Sequence, residues 1–201
     1  MDVVHYNENF HEMLSMAKRL GTKSLIVIGL SEREFRLHSK NAGTTMLFPA
    51  IQATANGLNK LGKAGNAIVV SQDASRQFVE HPHIDCIIDA ESMERKDRLH
   101  QRNSGLNEPL SGIIASTGKV LLFDMSLLCR KGNDRILGRF MQNAVLSTKK
   151  RIPSLVVSGA SFPYELRGAE ELRSFSAFIG LHPGAAKAAE AKLTRKALLG
   201  Q

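Results

Sequence analysis

The stretch that decides the fold runs from residue 120 to residue 157. It opens with Val120-Leu-Leu-Phe-Asp124, continues through the loop Arg130-Lys-Gly-Asn-Asp134, and closes with Leu155-Val-Val157. Both ends are short, continuous apolar runs, the pattern of parallel strands covered on two faces. Between them Ile136, Leu137, Phe140, Met141, Ala144 and Val145 recur at three- and four-residue spacings. That period predicts an amphipathic helix over Ile136–Leu146. A strand, a helix and a second strand in this order form a right-handed crossover, which makes the two strands parallel.

The same unit repeats on the N-terminal side. Asp2–Tyr6, Leu25–Ile28, Thr45–Phe48, Ala67–Val70 and Ile84–Asp89 read as strands, the third closed by Pro49. Phe10, Met13, Leu14, Ala17 and Leu20 give a helix stripe that Asn7 could cap and Gly21 could end. Ala53–Leu61, ended by Gly62 or Gly65, is a helix candidate. Ser71 or Asp73 would cap a short helix before Pro82, and Leu106–Ser116 is a further helix. Beyond Val157, Ala-rich helices are expected over Glu170–Ile179 and Gly184–Leu199. Seven strands alternating with helices imply an α/β protein with a parallel sheet. Pattern alone leaves open whether that sheet is doubly wound or closed as a barrel. No repeat, low-complexity tract or linker breaks the chain, so one domain over residues 1–201 is expected.

Composition narrows the class. The chain is 43% hydrophobic and 23% charged, as globular proteins are. Cys86 and Cys129 each lie in an apolar run and read as small buried hydrophobes, with no zinc or disulfide pattern. No run approaches a membrane span, and the N-terminus lacks a basic segment followed by an apolar one. A cytoplasmic protein without a membrane partner is therefore expected. Charge is more informative. Residues 1–100 carry 12 basic and 12 acidic side chains, whereas residues 101–201 carry 15 and 7, so the whole formal +8 lies in the second half. One-sided positive charge suits a polyanion partner.

In either architecture, functional loops lie beyond the carboxyl ends of the strands. The polar residues there are His5, Ser31, Asp89, Asp124, Ser158 and Ser161. One histidine and two aspartates are a thin ligand set for a metal-dependent phosphoesterase, the alternative function considered. The pair His81-Pro-His83 precedes a strand and so belongs to the opposite end. There is no P-loop or Gly-x-Gly-x-x-Gly, and Ser158-Gly-Ala-Ser161 lacks the order of a nucleophile elbow. Its small residues instead suggest close approach of the backbone to something outside. No catalytic residue is assigned.

The basic residues make a fuller constellation. Lys119, Arg130, Lys131, Arg135, Arg139, Lys149, Lys150 and Arg151 face only Asp124 and Asp134 over that span. Arg135 and Arg139 fall one turn apart, off the apolar stripe. Lys149-Lys-Arg151 closes its helix, where cations also complement the macrodipole. A second group comprises Arg95, Lys96, Arg98, His100 and Arg102. Most of the nine Phe fall on apolar faces, so if the polyanion is RNA, folded shape and phosphates are the expected targets in preference to base stacking.

Three motifs in fixed order then become recognisable. These are Ser104-Gly-Leu-Asn107, Leu155-Val-Val-Ser-Gly-Ala-Ser161 and Tyr164-Glu-Leu-Arg-Gly168, with Ile179-Gly-Leu181 and a final Ala-Ala-Lys187 behind them. Over about residues 92–199 this resembles the ribonuclease P protein component 3 family, the TIM-barrel-like subunits shared by archaea and eukaryotes. The resemblance implies a TIM-like barrel of about seven strands, which suits a chain shorter than the usual barrel. It implies a noncatalytic subunit of the endoribonuclease that removes the 5′ leader from precursor tRNA. Mg²⁺ would be used by the RNA, and no cofactor would be bound by the protein. Its partners would be ribonuclease P RNA, precursor tRNA, component 2 and other ribonuclease P protein subunits. By motif position it points to Arg98, Lys149, Arg167 and Lys187 as RNA contacts. Charge alone adds Lys119, Arg130, Lys131 and Lys150. Glu170 and Glu171 offer Arg167 a partial counter-charge. The related barrel phosphoesterases of the PHP type carry His-x-His on strand one, where this chain has His5 alone.

Overall fold

The computed structural model describes residues 1–92, 97, 103–129 and 134–199. Seven strands form one parallel sheet in sequential order: β1 (Asp2–His5), β2 (Ser24–Ile28), β3 (Met46–Ala53), β4 (Ile68–Ser71), β5 (Cys86–Ile88), β6 (Val120–Asp124) and β7 (Ser154–Val157). The sheet curls until its two edges meet. Val4 bridges Ala160 in parallel, and the His5 amide donates to the Ala160 carbonyl at 2.9 Å. Below that bridge the buried Asp2 carboxylate accepts from the Ser158 amide (2.7 Å) and hydroxyl (2.6 Å). A chain that leaves no long open edge in this way is a TIM-like barrel with one strand fewer than eight.

Strand parity sorts the apolar residues. Val3, Ile26, Ile28, Phe48, Ala50, Ile68, Val70, Cys86, Ile88, Val120, Leu122, Leu155 and Val157 fill the barrel interior. Alternate positions such as Val4, Leu25, Val27, Val69, Ile87, Leu121, Phe123 and Val156 face the surrounding helices. Those helices are α1 (Phe10–Arg19), α2 (Glu32–Asn41), α3 (Arg76–Val79), α4 (Glu108–Thr117), α5 (Asp134–Lys150) and α6 (Ala169–Phe178). The last helix, α7 (Pro183–Leu199), does something different. Its Ala189 and Leu193 join the interior cluster, while Lys192 reaches the Gly118 carbonyl just ahead of β6. It therefore stoppers the amino-terminal mouth of the barrel.

Several local expectations shift. β3 runs through Pro49 to Ala53, because pairing with β4 begins only at Ala50, and Pro49 needs no amide for that ladder. Ala55–Lys63 is a 3₁₀ segment rather than an α-helix. Asn9, not Asn7, precedes α1; Asn7 instead accepts from the Asn9 amide (2.9 Å) and donates to the Ser161 carbonyl (2.6 Å). Ser75, not Ser71 or Asp73, precedes α3. The helix α2 has no buried residue and was invisible to periodicity; a capping box of Ser31 and Glu34 starts it. Cys86 is buried but Cys129 is exposed. Among the described residues, no helix is long and apolar enough to cross a membrane.

Candidate nucleic-acid interface

At the carboxyl-terminal mouth the strand-end carboxylates are already engaged. Asp124 is fully buried and accepts from the Ser126 amide (2.7 Å) and hydroxyl (2.9 Å). Asp89, held at φ 59°, accepts from Gln72 at 2.9 Å, and Gln72 in turn accepts from Gln52 at 2.6 Å. Among the described residues, no three His, Cys, Asp or Glu side chains come together as metal ligands. Gly159, at φ 61°, lies so close to Asp124 that a Cβ there would fall 1.8 Å from the carboxylate. The small residues after β7 thus admit a neighbour from inside the barrel, where an outside partner was expected.

Behind this mouth sits a polar corner that sequence reasoning missed. Glu91 is fully buried and its carboxyl accepts from Asn143 at 2.6 Å; Asn143 also donates to the Ser104 carbonyl at 2.9 Å. Burial is the main cause that pushes Glu91 up to about 8, with the Asn143 bond opposing it and the Asp89 and Asp124 charges adding to it. The shift favours the protonated form of the side chain. Arg139 joins the corner, donating to the Glu91 carbonyl (2.8 Å) and to Asp97 (2.9 Å). It is buried while Arg135 is exposed, so the two do not share an outer face as helical spacing suggested. The ion pair with Asp97 draws Arg139 inward, and no local pattern in α5 announces it.

Of the diagnostic motifs, Ser104-Gly-Leu-Asn107 braces this corner, while Tyr164-Glu-Leu-Arg-Gly168 secures the loop after β7. Gly105, at φ 83°, presses against the Ala90 carbonyl, where a Cβ would meet oxygen at 1.8 Å. Asn107 caps α4 by accepting from the Leu110 amide at 2.9 Å. In the Glu-Leu-Arg motif, Glu165 accepts from the Ser161 (2.8 Å) and Phe162 (3.1 Å) amides, and Leu166 packs into the outer core beside α1. Arg167 donates through Nη1 to the Tyr164 (2.9 Å) and Leu166 (3.0 Å) carbonyls. Its expected counter-charges lie elsewhere: Glu170 pairs with Arg173 at 3.4 Å, and Glu171 accepts from the Gly168 amide.

The basic side chains divide into three sets. Arg167 and Lys187, distant in sequence, line one groove of about 460 Å³ between α6, α7 and the β1–β7 seam. Lys23 and Arg173 line it too, with Glu190 and the buried Asp2 as its acidic members. Lys149 and Lys150, at the end of α5, both face Glu108 at the start of α4; Lys149 is in direct hydrogen-bonded contact and Lys150 lies 3.7 Å away. The Lys149 bond, reinforced by both ammonium charges, holds the Glu108 carboxyl below its ordinary range. Lys119 has a different job. It is only 3% exposed, and its ammonium donates to the carbonyls of His81 (2.7 Å) and Ile84 (2.9 Å) at the amino-terminal end of the barrel. That position ties β6 to the β5 approach and leaves little for a phosphate. Arg98, Arg130 and Lys131 lie outside the described residues.

In class, then, the chain is a seven-stranded TIM-like β/α barrel with a capped base, a mouth without a metal-ligand cluster among its described residues, and a basic groove beside its seam. Comparison with known proteins bears out the resemblance read from the motifs. The chain is 26% identical over 195 residues to ribonuclease P protein component 3 of Methanococcoides burtonii, an alignment spanning 89% of this chain and 78% of that protein. Its fold matches a chain in a cryo-EM structure of archaeal ribonuclease P with mature tRNA, with a TM-score of 0.74 at 16% identity, covering 98% of this chain and 89% of the other. No family model matches.

Proposed function

We propose that this protein is a subunit of ribonuclease P, supporting the RNA that removes the 5′ leader from precursor tRNA in the cytoplasm. The observation that carries the reading is the identity to ribonuclease P protein component 3 along nearly nine-tenths of the chain. The barrel's own geometry supports a noncatalytic role. Asp89 and Asp124 are tied to Gln72 and Ser126. The RNA component would hold the reacting phosphate and the Mg²⁺, with no cofactor on the protein.

Arg167 and Lys187, brought into one groove with Lys23 and Arg173, are the leading phosphate contacts. Lys149 and Lys150, together with Arg98, Arg130 and Lys131, would extend that contact; Lys119 is set aside on its geometry. Component 2 and other ribonuclease P protein subunits are the proposed protein partners. The test is competition binding at matched salt between the cognate ribonuclease P RNA and an unrelated structured RNA of equal length. Preference for the cognate RNA by at least about tenfold is expected, given usual specificity margins. Equal affinity would make the protein a general RNA-binding barrel instead.

A further inference from the structure

The chain leaving β7 carries two aromatic side chains that the core does not use. Tyr164 is 72% exposed and Phe162 is 41% exposed. Their rings lie within 7° of parallel with centroids 5.6 Å apart, an offset stack facing outward. By contrast, the Tyr6, Phe10 and His38 rings pack on one another at the outer face of β1 and β2, as ordinary core aromatics do.

This pair stands on a fixed support. Pro163 between the two rings restricts the backbone, and the Glu165 carboxylate holds the Ser161 and Phe162 amides. The Arg167 guanidinium is fastened by Nη1 to the carbonyl of Tyr164 itself, and Nε and Nη2 have no hydrogen-bond partner among the described residues. Arg167 also opens the basic groove that leads to Arg173 and Lys187. An exposed π face beside an anchored cation, continuous with a cationic groove, is complementary to a nucleotide. The ring takes the base and the cation takes the adjoining phosphate.

We propose that Phe162 and Tyr164 form a stacking platform for an unpaired base of the bound RNA, with Arg167 receiving the neighbouring phosphate. The inference rests on the RNA-facing reading above and adds to it a contact with a base. The groove's cations favour a polyanion over an apolar protein partner at this corner.

The experiment is equilibrium binding of the full-length protein to the cognate ribonuclease P RNA at several salt concentrations. It compares the wild type with Tyr164→Ala, Tyr164→Leu, Tyr164→Phe, Phe162→Ala and Arg167→Ala. Loss of one stacked base weakens binding by about five- to a hundredfold, so roughly tenfold is expected for Tyr164→Ala, Phe162→Ala and Tyr164→Leu. The slope of affinity against salt should stay at the wild-type value in those three. Tyr164→Phe, which keeps the π face, should bind as the wild type does. Arg167→Ala should lose affinity and also lower the slope by nearly one.

Since the chain has two Tyr and no Trp, RNA should also quench tyrosine emission in the wild type and quench it far less in Tyr164→Phe. Alanine variants that bind RNA within twofold of the wild type would overturn the inference. So would alanine variants that lose only the capture of component 2, which would make the pair a protein-docking site. A wild type without preference for the cognate RNA would instead sink the parent reading of function.

Discussion

Asp2 and Ser158 close the barrel: one carboxylate, buried at the first strand, accepts both the amide and the hydroxyl of a serine at the end of the last. Their sequence separation of 156 residues makes this a contact between the two ends of the sheet. Asp2→Ala leaves the Ser158 amide and hydroxyl buried without their acceptor, at a cost of about 2–4 kcal/mol. Asp2→Asn keeps an acceptor for one donor and should lose about half as much. Urea unfolding midpoints check the order; equal stability of all three proteins would show that the seam does not depend on this carboxylate.

Gly159 and Gly105 are required for space and for backbone conformation together. Each has positive φ, and a Cβ at either would come within 1.8 Å of an oxygen, the Asp124 carboxylate in one case and the Ala90 carbonyl in the other. Gly159→Ala and Gly105→Ala should each destabilise by about 3 kcal/mol or more, in the range where mutations cease to be tolerated by small domains. Gly21→Ala, with open space around its Cβ, isolates the conformational part and should cost about 1 kcal/mol. Thermal melting of the three variants side by side measures the difference.

Glu91 makes stability depend on pH in a definite direction. Its folded pKa of about 8 lies above the ordinary 4.5, so folding takes up a proton between those values. The stability gained from holding that proton is fully present below about 4.5 and is lost as the pH rises through about 8. Glu91→Gln removes the titration and keeps an acceptor for Asn143. Its unfolding free energy should fall less steeply than the wild type's between pH 5 and pH 8, by about one proton's worth of slope at most. Parallel curves for the two proteins would place a charged carboxylate in this corner.

Lys119 and Lys187 should separate structure from binding. Lys119→Ala strips two carbonyls of their donor and should destabilise by about 1–3 kcal/mol, with the salt slope of RNA binding unchanged. Lys187→Ala, exposed on α7, should leave stability within about 0.5 kcal/mol and lower that slope by roughly one or slightly less. Chemical denaturation and RNA titrations at several salt concentrations read the two effects independently. A slope change in the Lys119 variant would return that residue to the RNA contacts.

The strands were legible because parallel strands covered on both faces are runs of apolar residues with no need to alternate. Val120–Asp124 is the same in sequence and structure, and six other strands fall within a few residues of where the runs lie. What escaped was whatever depends on partners from elsewhere. Without an apolar stripe, α2 was not detectable by period, although Ser31-Glu-Arg-Glu34 carries the spacing of a capping box. The inward turn of Arg139 depends on Glu91 and Asp97, both outside α5. Similarly, the burial of Lys119 requires the carbonyls ahead of β5. The groove that unites Arg167 and Lys187 exists only once α7 folds back under the barrel. Phe162 and Tyr164 look like ordinary loop aromatics until their exposure and their parallel stack are seen.

The most direct test of the central claim is cleavage of precursor tRNA by the cognate ribonuclease P RNA at low Mg²⁺. The reaction is run with component 2 alone, with this protein alone, and with both. Cleavage that emerges only with both proteins, and declines with Arg167→Ala or Lys187→Ala, is the result the account predicts. Cleavage that this protein fails to stimulate at any Mg²⁺ or salt concentration would contradict it.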